Sequence, residues 1–133
     1  MNESPLRETF NTLKIQASLR PYSSVKQRIS ILKNIRSVLQ SYAEELAEAV
    51  SKDFSGRDKY ETSLLEIFPT IKAISYCIKN LEKWSKIRKR SVSWLFQPAK
   101  AMLLPQPLGV VGIMVPWNYP IYLSLVPAAY ALA

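Results

Sequence analysis

An uninterrupted apolar run near the end of the sequence constrains the fold more than any other feature. Residues 108–115, Leu-Gly-Val-Val-Gly-Ile-Met-Val, contain no polar side chain. A run without alternation of polar and apolar residues is typical of a strand covered on both faces, as in a parallel sheet flanked by helices. Pro116 ends the strand, because proline has no backbone N–H to donate to a ladder. The sequence therefore predicts a buried strand at 108–115 in an α/β fold.

Trp117 and Asn118 follow directly after this predicted strand. Open α/β sheets bind ligands at the carboxyl ends of their strands, so this indole and this side-chain amide are candidate binding groups. Asn118 is also a favourable N-cap residue, and with Pro120 two residues later it can begin a helix. Asn118 therefore has two open interpretations, a donor to a ligand or a helix cap, and Trp117 fits a binding site or a core equally well.

Counts of residue types exclude several classes of site. The 133 residues contain no histidine and a single cysteine, Cys77. Without histidine, these residues cannot form a Ser-His or Cys-His catalytic pair or an HExxH metal site. One cysteine cannot form an internal disulfide, and no cysteine and histidine cluster is present to bind zinc, so we expect no metal. Nothing in its segment would activate Cys77, which is interpreted as a small helix residue.

Two amphipathic helices are predicted in the first part of the sequence. Apolar residues at helical spacing cover residues 4–19. The second helix begins after Ser24, which forms a capping-box pattern with Gln27, and extends to about residue 52. Gly56 follows its end and is suited to a left-handed turn.

A third helix is predicted over residues 61–84, again from apolar residues at helical spacing. Pro69 lies inside this helix. Proline in a helix interior removes a hydrogen bond and clashes with the preceding turn, so we expect a kink or two abutting helices at this position.

The strongest cluster of charge is the basic run at 86–90, in a sequence with a net charge of +8 and a pI near 9.7. Its preferred interpretation is a basic C-terminal helical turn, which favours the helix dipole. A basic interaction module that binds nucleic acid is the alternative. That alternative needs aromatic side chains on the same surface, and Trp94 and Phe96 are the candidates.

The uncharged sequence after Lys100 raises a further alternative, a membrane-attached protein. Repeated prolines leave no 18-residue window without a helix breaker, and Gln106 and Asn118 would bring polar groups into any span. We therefore expect a buried strand and helix rather than a membrane anchor.

Two specific motifs and several weaker ones extend along nearly the whole chain. They are residues 53–57 (Asp-Phe-Ser-Gly-Arg), Glu61 with 65–69 (Leu-Glu-Ile-Phe-Pro), the spacing of Ile74, Tyr76 and Trp84, and the specific pair 104–113 (Leu-Pro-Gln-Pro-Leu-Gly-Val-Val-Gly-Ile) and 116–120 (Pro-Trp-Asn-Tyr-Pro). Together they resemble the N-terminal part of an NAD(P)-dependent aldehyde dehydrogenase, most closely the coniferyl-aldehyde-dehydrogenase-like branch. Gly109-x-x-Gly112 alone is weak and is not a GxGxxG loop.

The resemblance implies oxidation of an aldehyde through a thiohemiacetal formed with a cysteine, with hydride transfer to a nicotinamide cofactor and hydrolysis of the thioester. Asn118 aligns with the family's catalytic asparagine, whose side-chain amide donates to the aldehyde oxygen. Trp117 and the backbone of Met114, Val115 and Pro116 match residues that lie beside the cofactor, NAD or NADP. A neutral donor suits the role of Asn118, because it stabilises oxyanion charge without first losing a proton.

Other catalytic groups of the family have no match in these residues. The nucleophilic cysteine and the general-base glutamate are both missing, and the surroundings of Cys77 do not resemble those of the nucleophile. Catalysis needs nucleophile, base and donor within reach of one another. We therefore expect the 133-residue chain to be an inactive fragment of a longer enzyme.

The resemblance implies an incomplete aldehyde dehydrogenase fold of the α/β class. Its expected parts are an N-terminal helical region at 1–97 with about three helices, an extended linker at 98–107, and the first strand and helix of a Rossmann-like NAD-binding domain at 108–133. The expected partner is a small aldehyde, with no nucleic acid and no membrane, in the cytoplasm. Full-length relatives form homo-oligomers, and we expect this chain to self-associate through the unpaired strand.

Overall fold

The computed structural model describes residues 5–19 and 23–133. These residues divide into two compact units. One comprises the described residues up to Ser23 together with Glu82–Val111, and the other comprises Ser24–Leu81 with Gly112–Ala133. The domain boundaries given above stay a prediction.

The unit formed by Ser24–Leu81 and Gly112–Ala133 is helical and contains the buried core. Its elements are α2 (Val25–Ser41), α3 (Ala43–Asp53), α4 (Lys59–Thr62), a π-helical turn (Ser63–Ile67), α5 (Phe68–Trp84, of which the part to Leu81 belongs here) and α6 (Pro120–Leu132). The core consists of apolar side chains from these helices: Leu32, Leu39, Ala47, Val50, Ile67, Ile74, Cys77, Leu81, Ile121 and Ala129.

Local sequence signals set the ends of the first helices of this unit. The Ser24 hydroxyl accepts from the backbone N–H of Gln27, and the Gln27 side chain accepts from the backbone of Ser24, so the predicted capping box is confirmed. The single helix expected to about residue 52 is wrong in one respect, since it is interrupted at Tyr42 between α2 and α3. Gly56 has φ +102° and donates its N–H to the carbonyl of Ser51, so a left-handed turn follows the end of α3, as expected.

Pro69 is accommodated by a π-helical turn rather than by a simple bend. The N–H of Phe68 donates to the carbonyl of Ser63, five residues earlier, and α5 begins at Phe68. Proline lacks the N–H that a continued α-helix would use, and the wider turn accommodates this loss. Of the two forms expected at Pro69, a kink or two abutting helices, the structure has the second, because the π-helical turn abuts α5 one residue before Pro69. The same turn carries Glu66, whose side chain is fully buried.

In the unit formed by the residues up to Ser23 and Glu82–Val111, no described residue is fully buried. It contains α1 (Pro5–Leu19), as predicted, and two short antiparallel strands, β1 (Arg88–Arg90) and β2 (Ala101–Leu103), with Arg88 opposite Leu103. The interpretation of the basic run as a helical turn is wrong, because α5 ends at Trp84 and Arg88–Arg90 form β1 by pairing with β2.

The strand predicted at 108–115 is not formed. Residues 104–116 carry neither helix nor strand, and within 108–115 every residue is exposed except the half-buried Val110. A strand requires a hydrogen-bonded neighbour, and among the described residues the only ladder joins β1 and β2. The apolar run therefore has no partner strand among the residues that the structure describes.

Among the described residues, no helix has the length and apolar character required to cross a membrane. Helix α6 is apolar, but it has 13 residues.

Candidate active site

The turn that precedes α6 carries the predicted site residues Trp117 and Asn118. Asn118 is exposed, and its backbone carbonyl accepts a hydrogen bond from Nη1 of Arg57 at 2.9 Å. Its side-chain amide has no hydrogen-bond partner in the described part of the chain. The main chain of Asn118 is thus held in place while its amide remains available to a ligand.

Arg57 connects this turn to the preceding helices. Its side chain is only 10% exposed, and its guanidinium lies over the ring of Tyr119 at 4.5 Å. Nη1 lies 3.3 Å from Oε1 of Glu66, and Nη2 lies 3.0 Å from Oε1 of Glu61. A planar guanidinium presents several donors in a fixed geometry, so one side chain can bind two carboxylates and a carbonyl together.

The buried carboxylate of Glu66 binds the N-terminus of α6. Its Oε2 accepts from the backbone N–H of Ile121 at 2.8 Å and from that of Tyr122 at 3.2 Å. The first N–H groups of a helix have no partner within the helix, and the N-terminus favours negative charge. Glu66 satisfies two of these groups and adds the favourable charge.

This arrangement corrects the interpretation of Asn118 as a helix cap. The N-cap position of α6 is Tyr119, with Pro120 as the first helical residue, and no side chain of the N-cap accepts a hydrogen bond. A capping side chain would accept from the N–H groups that Glu66 already binds. Of the two roles considered for Asn118, helix capping is therefore excluded.

Trp117 packs against Phe54 and remains mostly exposed. The two ring centroids are 6.2 Å apart with an interplanar angle of 27°, and Trp117 is 79% exposed. An open cleft of about 440 Å³ is lined by Phe54, Arg57, Glu61, Trp117, Asn118 and Tyr119. The exposed indole and the Asn118 amide therefore border the same cleft, and Trp117 is not a core residue.

The remaining candidate cofactor residues lie in the segment without helix or strand that precedes this turn. Met114 is 97% exposed, Val115 is 38% exposed, and Pro116 is exposed as well. No hydrogen bond joins the backbone of these three residues to any other residue that the structure describes. Their backbone groups and apolar side chains fit contact with a flat, partly apolar ligand.

Cys77 lies apart from this chemistry. It is fully buried in α5, and burial raises the pKa of its thiol. A neutral buried thiol is a poor nucleophile. Within residues 5–19 and 23–133, no group of three or more acidic, cysteine or histidine side chains is placed to hold a metal ion.

Sequence analysis did not identify Arg57 and Glu66 as site residues. A signal was present, because Thr62, Glu66 and Thr70 place polar side chains at intervals of four on a helical segment that is otherwise rich in apolar residues. All three are fully buried. A buried charge at such a position requires a partner, but helical spacing does not reveal which residue supplies it.

Comparison with known proteins places these features in a family. The Aldehyde dehydrogenase family matches residues 16–133. A probable coniferyl aldehyde dehydrogenase from Pseudomonas aeruginosa is 46% identical over 114 residues, which cover 86% of this chain and 24% of that protein. The coniferyl aldehyde dehydrogenase of a Pseudomonas species is 33% identical over 107 residues, which cover 80% of this chain and 22% of that protein.

A solved structure gives an independent comparison. The substrate-bound state of Staphylococcus aureus AldH aligns with a TM-score of 0.89 at 27% identity, covering 99% of this chain and 28% of that one. The chain spans about a quarter of the length of the relatives it matches. The predicted resemblance and the incomplete aldehyde dehydrogenase fold are confirmed. The chain belongs to the aldehyde dehydrogenase family.

Proposed function

We propose that this chain forms part of an enzyme that oxidises an aldehyde to the carboxylic acid with NAD or NADP. Membership of the aldehyde dehydrogenase family supports the reaction. Two relatives named as coniferyl aldehyde dehydrogenases, at 46% and 33% identity, support an aromatic substrate of the coniferyl type.

The observation that carries this proposal is the Asn118 amide at the border of an open cleft, on a main chain fixed by Arg57. When a nucleophile attacks an aldehyde carbon, negative charge develops on the carbonyl oxygen. An amide N–H held at that oxygen stabilises the charge, and loss of one such donor typically lowers the rate by about 10²–10³. Asn118 is the donor in this proposal.

Four residues are proposed to contact the cofactor: Met114, Val115, Pro116 and Trp117. They are exposed, and the first three leave their backbone groups unused by the described residues. The bound nicotinamide would supply the hydride acceptor of the reaction. The part played by these residues is to cover and orient that group beside the cleft.

We further propose that the 133-residue chain alone does not turn over aldehyde. Its single cysteine, Cys77, is buried in α5 with a raised thiol pKa, and so cannot serve as the nucleophile. The nucleophile of the proposed reaction therefore lies outside these residues.

The test is an assay of the protein expressed from its gene at full natural length. With coniferaldehyde and NAD or NADP, we expect formation of reduced cofactor together with an equal amount of the acid. The 133-residue chain, assayed in parallel, should give neither product. If the full-length protein yields no reduced cofactor with aromatic or aliphatic aldehydes, the proposed activity is wrong. Turnover by the short chain would contradict its proposed inactivity.

A further inference from the structure

We propose that Arg57 and Glu66 are positioning residues that fix the orientation of the Asn118 amide toward the aldehyde oxygen. The inference rests on the function proposed above and extends it to two residues that flank α4 and to which that proposal assigns no contact with substrate or cofactor. It is argued from the contacts that these two side chains make with Asn118 and with the residues that follow it.

The two residues bind the main chain at Asn118 and at the start of the helix that follows it. Arg57 Nη1 binds the carbonyl of Asn118 at 2.9 Å, and Glu66 Oε2 binds the N–H groups of Ile121 and Tyr122. Between them, the Tyr119 ring lies under the Arg57 guanidinium at 4.5 Å. The segment from Asn118 to the first turn of α6 is thus bound at successive points.

The contact between the two side chains makes this a single unit. Arg57 Nη1 lies 3.3 Å from Oε1 of Glu66, and both side chains are nearly or fully removed from water. Charged hydrogen bonds are stronger and more directional than neutral ones, and a buried pair loses heavily when one member is removed. A shift of Glu66 therefore moves Arg57 and, through it, the Asn118 carbonyl.

A glutamine at position 66 would disturb this unit with little change in volume. Glutamine offers one acceptor oxygen, whereas the carboxylate offers one oxygen to Arg57 and the other to α6. Its NH₂ group would face either the guanidinium or the helix N–H groups, and both of these are donors. Glu66→Gln should therefore loosen the Asn118 turn while retaining the fold.

A kinetic cycle in the full-length enzyme separates positioning from a general structural role. Glu66→Gln is expected to lower kcat about 10–100-fold, with the aldehyde KM within about twofold of the wild type. Asn118→Ala should lower kcat about 10²–10³-fold. Because Glu66 acts through Asn118, the double variant should be about as slow as Asn118→Ala alone. A Glu66→Gln enzyme with wild-type kcat, or a double variant showing the full product of both losses, would overturn the inference.

Two further variants make the test decisive. Glu48→Gln removes a carboxylate from the exposed pair with Lys59 on another part of the same unit, and it should leave kcat and KM unchanged. Arg57→Lys keeps the positive charge, but a lysine cannot bind Glu61, Glu66 and the Asn118 carbonyl together. It is therefore expected to show the same loss of kcat as Glu66→Gln, and it serves as the test if Glu66→Gln does not fold.

Failure of the inference is distinguishable from failure of the proposed function. If the wild-type enzyme oxidises no aldehyde, the proposed activity is wrong, and if Asn118→Ala is as fast as the wild type, the proposed donor role of Asn118 is wrong. If both behave as expected while Glu66→Gln and Arg57→Lys slow the enzyme independently of Asn118, only the positioning role is wrong.

Discussion

The carboxylate of Glu66 lies 2.8 Å from the backbone nitrogen of Ile121, although 55 positions separate the two residues in the chain. The contact joins a π-helical turn, formed where Pro69 interrupts a helix, to the first turn of α6. Helix α6 begins two residues after Asn118, so this single contact links the interior of the unit to the proposed oxyanion donor.

Removal of Glu66 should destabilise the chain far more than removal of its exposed neighbour. Glu66→Ala leaves the buried guanidinium of Arg57 without one partner and frees two N–H groups of α6, for an expected loss of about 3–5 kcal/mol in the free energy of unfolding. Glu61→Ala removes the other carboxylate that binds Arg57. Because the Glu61 side chain is 46% exposed, the expected loss in the free energy of unfolding is about 0–1 kcal/mol. Urea unfolding of both variants checks this, and equal losses would contradict it.

The turn before Arg57 should be sensitive to a side chain at Gly56. Its φ of +102° lies in the left-handed region, so Gly56→Ala should cost about 1–2 kcal/mol of stability even though no atom lies within 4 Å of the added Cβ. Gly112→Ala is the matched control, since that site has equal space and no positive φ. We expect its unfolding free energy to stay within about 0.5 kcal/mol of the wild type. A Gly56→Ala protein as stable as the control would show that the left-handed turn is not required.

Local signals predicted much of this architecture. The Ser24 capping box, the stop at Gly56 and the abutting helical elements next to Pro69 each depend on backbone chemistry within a few residues, and all three are confirmed. The start of a helix at Pro120, just after Asn118, followed from the proline itself. These features need no knowledge of distant parts of the chain.

The remaining features depend on partners that are distant in sequence. The apolar run at 108–115 indicated a strand, but periodicity does not show whether a neighbouring strand exists, and none pairs with it in the described residues. The role of Glu66 was not predicted, because its hydrogen-bond partners, Arg57 and the α6 backbone, come close to it only in the folded chain. Likewise, Arg88–Arg90 became a strand through pairing with β2.

Cys77 should resist modification while the chain is folded. Burial raises the pKa of its thiol, so the folded state holds the proton more tightly than the unfolded state. The protonated Cys77 thiol makes its full contribution to stability below the pKa of an unfolded cysteine, about 8.5. That contribution is lost as the pH rises through the higher pKa that Cys77 has in the folded state. Alkylation near pH 8 should be slow in buffer and fast in urea. In the full-length enzyme, Cys77→Ala should leave kcat unchanged. An inactive Cys77→Ala enzyme would refute the conclusion that Cys77 is not the nucleophile.

The isolated 133-residue chain should self-associate through the exposed apolar residues before α6. Met114 is 97% exposed and Ile113 is 38% exposed, in a segment that forms neither helix nor strand. Light scattering after size exclusion should show oligomers. The double variant Ile113→Lys with Met114→Lys should shift them toward monomer, whereas Tyr60→Lys, at an 86% exposed site on α4, should not. A monodisperse wild-type monomer would contradict this expectation.

The kcat of Asn118→Ala in the full-length enzyme tests the central claim most directly, namely that this amide stabilises the oxyanion of a reacting aldehyde. We predict a loss of about 10²–10³ in kcat, about 2.7–4 kcal/mol of transition-state stabilisation, at a nearly unchanged melting temperature, because the main-chain contacts of Asn118 are kept. A variant that retained wild-type kcat with coniferaldehyde would contradict the account.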